Sequence, residues 1–380
     1  MFDGAGARIA WSLALGTLGA VAVSGDLHAQ GLKVVGYGDV EWTLEQSEGD
    51  PDDPDDDEWD HFFDNHHFNL ILVGWIINDL QVGGEVEYEH AGDEIALEYA
   101  YLAYTGIRNL RLVGGKFIIP FNRWNKDLHP TWISKVPGRP PVYSNVFPST
   151  YSDVGLWVSG AAPVAEGTRI TWDAYIVNGL KGDPDALSFR GLRDNPEDEG
   201  DDNKAVGGRL GLEFPQGLGI GGSAYTGKYA EDPDTEDNLN VTFLGADIDY
   251  HWRGLELRGE FVSGMQDLSD AFKATTGLGD ATRTGFYAQA SYILTETEGP
   301  LSSLEPVVRY SWVSFEEEEL GEIDETLDTQ ELGIGFSYYI GASSAVRLAY
   351  FFNLENDVFG ASGTESLDND RLVGQFTVAF

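Results

Sequence analysis

Cysteine is absent from this chain of 380 residues. Its absence excludes a disulfide framework and any metal site built from thiolates. A chain without thiols is suited to export, where free cysteines mispair, but many cytosolic proteins also lack cysteine. The compartment must therefore be read from other features.

Long apolar runs are missing after the N-terminal segment. A membrane-spanning helix needs about 18 or more consecutive apolar residues, and no stretch beyond residue 30 approaches that length. The hydrophobic fraction is 42% and the mean hydropathy is −0.24. A helical membrane bundle is thus excluded, whereas a membrane β-barrel is not, because alternating strands leave the average hydropathy low.

Basic residues are scarce, with 23 Lys and Arg against 64 Asp and Glu, for a formal net charge of −41. Binding to nucleic acid depends on a basic surface that neutralises phosphates. No basic surface offsets this large acidic excess, so nucleic acid is not expected as a partner.

The N-terminus has the pattern of a secretory signal. Arg8 precedes an apolar stretch from Ile9 to Val23, and Ala29 offers a small residue at a cleavage point before Gln30. A buried first helix is the alternative, but Ser24–Asp26 interrupt the apolar run. We therefore predict a signal peptide over residues 1–29 and a mature chain over residues 30–380.

Apolar and polar residues alternate through the rest of the chain. At the C-terminus, one face carries Leu372, Gly374, Phe376, Val378 and Phe380, and the other carries Arg371, Val373, Gln375, Thr377 and Ala379. Alternation of this kind is typical of strands with one face in lipid and one in water, and about nine to eleven tilted residues cross the bilayer. The predicted strands lie near 32–43, 66–77, 80–89, 95–105, 110–118, 153–162, 168–178, 204–214, 218–229, 239–251, 255–264, 283–294, 304–315, 329–340, 345–355 and 371–380.

The connections alternate in length. Short turns fall near Asn78, Gly106, Pro163, Pro215, Arg253, Glu296 and Gly341, and long loops near Asp55, Gly92, Pro137, Asp194, Asp234, Asp270, Glu319 and Gly360. An even number of strands lets the last pair with the first, which removes both edges. The sequence predicts an all-β fold, a sixteen-stranded antiparallel transmembrane β-barrel with short periplasmic turns and long acidic extracellular loops. A propeller or sandwich explains neither the alternation of connections nor the final aromatic residue.

The last strand resembles the C-terminal assembly signal of Gram-negative outer-membrane proteins, with Phe376, Val378 and Phe380 on its outward face. The whole pattern resembles the sixteen-stranded porins, and the segment from Gly115 to Phe121 is similar to a strand-to-loop segment of the phosphate-selective type. The resemblance implies a homotrimer in the bacterial outer membrane, in contact with lipid, lipopolysaccharide and the barrel-assembly machinery. It also implies passive diffusion of small hydrophilic solutes without a cofactor.

The third long loop, about residues 119–152, is rich in proline and aromatic residues. It also has an excess of basic residues, which are Arg123, Lys126, Lys135 and Arg139. Because prolines remove backbone donors and stiffen the chain, the loop cannot continue as a regular ladder and is expected to be packed. In porins the corresponding loop folds into the barrel and narrows it, so these four residues are predicted at the constriction. Placement of some of them at a subunit interface is the alternative.

Basic residues also recur on the faces assigned inward. They are Arg111, Arg169, Arg209, Arg258, Arg309, Arg347 and Arg371, and Lys116 is added to the pore-lining candidates. Two explanations remain. Arg at the bilayer midplane costs about 2–4 kcal/mol, so the lumen is simply the better place for it, and Glu256, Glu260, Glu331 and Glu355 can pair with it. A basic lining would also favour anions, for instance phosphate-like ones, because fixed charges act strongly in a narrow pore.

The acidic loops raise the question of metal binding. Asp53, Asp55 and Asp57 offer the oxygen ligands that calcium prefers, but Glu58 stands where a calcium loop of the EF-hand type needs glycine. A solvated acidic surface is favoured over a weak divalent-cation site. No other metal site is predicted, because His66 and His67 point to opposite faces of a regular strand and cannot hold one metal together.

Two other functions compete with transport. A hydrolytic barrel needs a nucleophile or activated water beside a base, and histidine is scarce in the mature chain: His61, His66, His67, His90, His129 and His251. An adhesive or structural barrel would use its acidic loops to bind a partner. Sixteen strands usually leave a channel, so a porin and not an enzyme is predicted.

Overall fold

A computed structural model describes residues 31–46, 59–184, 189–193, 204–233, 235–277, 279–294, 301–315, 329–354 and 369–380. Sixteen antiparallel strands close into one barrel, each pairing with its neighbours in the chain and the last pairing with the first. The predicted fold class is confirmed. The signal peptide, Glu355 and the acidic positions Asp53, Asp55 and Asp57 lie outside the described residues.

The strands are β1 Lys33–Gln46, β2 Trp59–Ile77, β3 Leu80–Glu89, β4 Glu94–Tyr104, β5 Leu110–Ile118, β6 Ser152–Ala165, β7 Thr168–Val177, β8 Ala205–Glu213, β9 Leu218–Glu231, β10 Asn238–Trp252, β11 Leu255–Gln266, β12 Ala281–Tyr292, β13 Leu301–Phe315, β14 Thr329–Ile340, β15 Ser344–Asn353 and β16 Arg371–Ala379.

Most strands lie within a few residues of their predicted bounds, but β2 begins well before the predicted His66. Residues 59–65 read as loop because they mix aromatic and charged residues without alternation. They pair instead with the second half of β1, up to Trp59 opposite Gln46. The β1–β2 hairpin therefore extends beyond the residues whose alternation predicted its strands.

The seam between β1 and β16 closes the barrel. The Gly36 amide donates to the Phe380 carbonyl (3.0 Å), and the Phe380 amide donates to the Gly36 carbonyl (2.9 Å). A Cβ atom at Gly36 would lie 2.4 Å from the Asn69 carbonyl oxygen and 2.8 Å from the Phe380 ring. Only glycine therefore fits where the C-terminal residue packs against the first strand.

Exposure follows the predicted alternation. On β1 the side chain of Val40 is 45% exposed on the outer face, whereas its neighbour Asp39 is 3% exposed on the inner face. Phe68 and Phe376 are likewise exposed. The outer surface is thus apolar and the inner one polar, as expected of a wall between lipid and water.

The helices are short. They comprise Asp270–Thr276, Val142–Asn145, a π-helical turn at Trp124–Leu128 and 3₁₀ turns at His90–Gly92 and Gly191–Arg193. Among the described residues, no helix is both long enough and apolar enough to cross a membrane.

An aromatic cluster fills one side of the interior. Phe121 stacks on Phe147 with ring centroids 4.2 Å apart, and both rings pack against Phe243 of β10. Residues of the third loop thus form a small hydrophobic core with the wall.

Candidate functional site

The third loop, which joins β5 to β6 as residues 119–151, lies inside the barrel. On one side, the backbone N–H of Asn122 donates to Oγ of Ser223 on β9 (2.9 Å). On another, Oγ1 of Thr131 donates to Oδ1 of Asp39 on β1 (2.6 Å). Because β1 and β9 are far apart in the ring of strands, the loop extends across the lumen.

Side chains of the wall hold the loop through its backbone carbonyls. Arg347 donates to the carbonyl of Trp132 (Nη2–O, 2.9 Å), and Arg309 donates to that of Gly138 (Nη1–O, 3.0 Å). Arg309 and Arg347 are both fully buried. Since a buried guanidinium needs partners, these two arginines stabilise the loop position.

Three of the four predicted loop bases form ion pairs with carboxylates of the wall. The pairs are Arg123 with Asp249 (2.7 Å), Lys126 with Asp173 (2.6 Å) and Lys135 with Glu305 (2.5 Å). The Lys135 ammonium also lies 2.9 Å from Oε2 of Glu256. These charges are compensated locally, and their contacts fasten the loop.

The fourth loop base belongs to an arginine cluster, which we define as Arg139, Arg190 and Arg193. Arg139 and Arg190 (3.1 Å) donate to the carbonyl oxygen of Ser149, and Arg193 lies 3.5 Å from the same oxygen. Burial and the two neighbouring arginines lower the pKa of Arg139 to about 10. The guanidinium is thus still charged at neutral pH.

Sequence reasoning missed Arg190 and Arg193. Both lie in the loop between β7 and β8, which reads as one of the acidic loops. Two bases three residues apart in such a loop were the available signal, but their approach to Ser149 depends on the path of the third loop.

An acidic wall, made of Asp39, Glu41, Glu85, Glu87, Glu89 and Glu98, lines β1, β3 and β4. Nδ2 of Asn69 on β2 bridges two of its members, donating to Oε1 of Glu85 (2.7 Å) and of Glu87 (2.9 Å). Glu87 and Glu89 also act electrostatically on Arg139. The arginine cluster and the acidic wall therefore face each other within the lumen.

The predicted wall bases mostly have partners. Arg209 forms two hydrogen bonds with the Asp247 carboxylate (2.5 and 3.0 Å). Glu331 forms ion pairs with both Arg309 (3.0 Å) and Arg371 (2.8 Å). The other contacts are the ion pairs of Arg258 with Glu256 (2.9 Å) and of Arg169 with Glu213 (2.5 Å), and the hydrogen bond from Arg347 to Gln375 (2.7 Å). Glu260 instead accepts hydrogen bonds from the hydroxyl groups of Tyr143 and Tyr287. Most of these bases thus brace the wall and the third loop.

Two predicted bases have different surroundings. The Arg111 guanidinium lies 5.0 Å from the ring centres of Tyr101 and of Trp157, a cation–π arrangement. Lys116 is half-buried on β5, and its ladder partners are Ala100 on β4 and Val154 on β6.

The expectation that His66 and His67 face opposite sides is wrong. In the β1–β2 ladder Asp39 pairs with His67 but Glu41 pairs with Asp64, so two residues of β2 stand opposite one of β1. This β-bulge turns both imidazoles inward, with His67 Nδ1 3.2 Å from Oδ1 of Asp39 and His66 Nδ1 3.6 Å from Oδ2. No glycine or proline marks the bulge, so alternation alone could not reveal it.

Comparison with known proteins gives a distant sequence relative. No family model matches the chain. An uncharacterized protein of Aquifex aeolicus (strain VF5) is 27% identical over 286 residues, which are 69% of this chain and 62% of the relative. The alignment therefore spans less than two thirds of the relative's length.

Solved structures give the fold. Those similar over most of the chain include the outer membrane channel DcaP of Acinetobacter baumannii (TM-score 0.60, 12% identity, 93% of this chain and 98% of that one). An anion-selective porin from Comamonas acidovorans (0.57, 11%, 92% and 100%) and the trimer form of OmpT, an outer membrane protein of Vibrio cholerae (0.57, 11%, 93% and 100%), are similar too. The chain has the fold of the outer-membrane porin barrels.

Proposed function

We propose that this protein is a bacterial outer-membrane porin, a water-filled channel for the passive diffusion of small hydrophilic solutes. The observation that carries the proposal is the third loop, which crosses the lumen of a closed sixteen-stranded barrel and is tied to distant walls. Barrels of this size leave an aqueous channel, and a loop folded inside narrows it.

Proteoliposome swelling tests diffusion directly. Vesicles containing the folded barrel should swell in isotonic solutions of small sugars, at rates that fall steeply as the sugar becomes larger. Vesicles with the same amount of heat-denatured protein are the control. Equal swelling rates in both preparations would overturn the proposal.

We further propose a preference for anions, including phosphate-like ones, at the constriction. Arg139 is half-buried and charged, and Arg190 and Arg193 meet it at one carbonyl oxygen. Fixed charges act on a solute at close range in a narrow, poorly screened pore. The acidic wall opposes this preference from the other side, so a moderate selectivity is expected.

Reversal potentials across a planar bilayer in a salt gradient measure the preference. An anion-to-cation permeability ratio above one is expected with potassium chloride. Cation selectivity that persists after the outer acidic loops are neutralised would contradict it.

The proposal assigns transport and no enzymatic role. Lipase and protease assays on the purified, folded barrel test this, and turnover that persists through purification would overturn it. Adhesion by the acidic loops would instead appear as binding to a partner with no solute passage.

We propose a homotrimer, in keeping with the trimeric form of the OmpT barrel that this fold resembles. Lipid, lipopolysaccharide and the barrel-assembly machinery are the other proposed partners. Light scattering of the detergent-solubilised barrel should give three chains per particle, and mass spectrometry of the secreted form should show a chain that begins at Gln30.

A further inference from the structure

The β-bulge on β2 creates a group of side chains that the channel function does not require. His66, His67 and Asp39 bring one donor atom each within 4.8 Å of one another. All three project into the lumen, beside the tip of the third loop. Two imidazoles and a carboxylate form a donor set that first-row divalent metals bind in proteins.

The spacing of these donors fits one metal ion. Ligands about 2.0–2.1 Å from a tetrahedral zinc ion stand about 3.3–3.4 Å apart. Nδ1 of His67 lies 3.2 Å from Oδ1 of Asp39, and Nδ1 of His66 lies 3.6 Å from Oδ2. The two separations, each to a different oxygen of Asp39, lie on either side of that value, and one donor atom from each of the three residues lies within 4.8 Å of the other two.

Both imidazole Nδ1 atoms are buried, and their contacts with the Asp39 carboxylate lack the geometry of a hydrogen bond. The His67 side chain is 9% exposed. A buried polar atom without a well-aligned partner costs free energy. The two nitrogens are aimed at the same place, which is next to the Asp39 carboxylate.

Neighbouring side chains hold these donors in place through hydrogen bonds and ion pairs. Oε1 of Glu89 lies 3.1 Å from Nε2 of His67, the ring atom opposite Nδ1. Asp39 accepts hydrogen bonds from Thr131 (2.6 Å) and Gln375 (3.1 Å). Carboxylates that hold the second nitrogen of a ligating histidine fix its tautomer and orientation.

The local charge also favours a cation. Oε1 of Glu41 lies 3.3 Å from Nδ1 of His66, and Glu87 lies 3.8 Å from His67. His66 and His67 form the ion pairs found for Asp39, Glu41, Glu87 and Glu89, whereas Arg139 acts on Glu87 and Glu89 through the electrostatic field alone. This sets the group apart from most carboxylates of the lumen.

His251 illustrates the contrast. It too lies between two carboxylates, 3.4 Å from Asp249 and 3.3 Å from Glu256. Asp249 already forms an ion pair with Arg123, and Glu256 forms ion pairs with Lys135 and Arg258. A cation at His251 would be repelled, so this residue serves as a matched control.

We infer that His66, His67 and Asp39 form a binding site for a divalent transition-metal ion of the zinc class in the lumen wall. Glu89 positions His67, and Glu41 or a water molecule fills the fourth coordination position. Calcium and magnesium are disfavoured because they prefer sites made of oxygen ligands alone. This inference goes beyond the proposed channel function and does not depend on it.

Zinc binding to the full-length folded barrel tests the site. The protein is stripped with EDTA, dialysed against micromolar zinc in millimolar calcium to saturate carboxylate-only sites, and its zinc is measured by mass spectrometry. One calcium-resistant zinc ion per chain is expected. His67→Gln should weaken binding at least tenfold, and His251→Gln should leave it unchanged.

A second variant and a second readout guard against misfolding. His66→Gln replaces a less buried ligand, and folding of each variant is checked by its heat-modifiable mobility in gels. Cobalt in place of zinc should give the visible absorption of a tetrahedral site in the wild type and in His251→Gln, but not in the His66 variant. Absence of calcium-resistant zinc in the wild type, or zinc retention equal to that of the wild type in folded His66→Gln and His67→Gln, would overturn the site.

Discussion

Oγ1 of Thr131 donates a hydrogen bond to Oδ1 of Asp39 over 2.6 Å, although the two residues are 92 positions apart in the chain. The contact joins the third loop to β1. Because Asp39 also accepts from Gln375 on β16, one carboxylate connects the loop with the seam that closes the barrel. The third loop and the closing seam of the barrel therefore share one hydrogen-bonded carboxylate.

Release of the third loop should widen the pore. Arg347→Met removes the donor to the Trp132 carbonyl and to Gln375, and hydrogen bonds to a charged group contribute about 1.5–3 kcal/mol each. We expect a larger single-channel conductance and a lower unfolding midpoint in urea. Arg169→Met is the control, since Arg169 pairs with Glu213 away from the loop. Identical conductance in wild type and Arg347→Met would refute the anchoring role.

Acid should loosen the same loop through His129. Burial, followed by the charge of Arg139, lowers the pKa of His129 from 6.5 to about 3. Between these two values the open loop binds a proton that the packed loop does not. Neutral His129 therefore contributes its full share to the free energy of loop packing above pH 6.5. That contribution falls by about 1.4 kcal/mol per pH unit as the pH drops toward 3.

Hydrogen exchange of residues 119–151 measures this effect as an opening free energy at pH 7 and pH 5. The wild type should lose protection at pH 5 in excess of the intrinsic change in exchange rate, and His129→Asn should not. His61→Asn, an exposed change on β2, controls for substitution alone. Equal losses in the wild type and His129→Asn would assign the acid effect to other groups.

The C-terminal aromatic residues should matter for assembly more than for the finished barrel. Phe376 is exposed on the outer face, and Phe380 stacks on Phe68 with ring centroids 6.1 Å apart. Phe376→Ala should strongly reduce the folded barrel recovered from cells but barely change refolding in detergent. Phe352→Ala, on the outer face of β15, is the matched control. Equal recovery of both variants from cells would remove the case for an assembly signal.

Charge removal at the arginine cluster should change selectivity. Arg139 meets Arg190 and Arg193 at the Ser149 carbonyl oxygen, so Arg139→Gln reduces the positive field at the proposed constriction. We expect the anion-to-cation permeability ratio to fall severalfold, with Arg169→Gln unchanged. An unaltered reversal potential in Arg139→Gln would place the selectivity elsewhere.

The regular parts of this molecule were predictable because each strand carries its own evidence. The alternation on β16 and β3 indicated the length of each strand and which of its faces is outward. The even number of strands indicated that the barrel closes. The lumen was harder, since pairs such as Lys135 with Glu305 join residues 170 positions apart. Alternation also failed at the β-bulge beside His66, because one extra residue changes the facing of all that precede it.

Single-channel recording in a planar bilayer measures whether this barrel conducts ions. Purified, folded barrel should insert in discrete steps of uniform conductance that rises with salt concentration and is nearly linear in voltage. Protein that is folded and inserted, as judged by protease protection, yet carries no current in either direction would contradict the account.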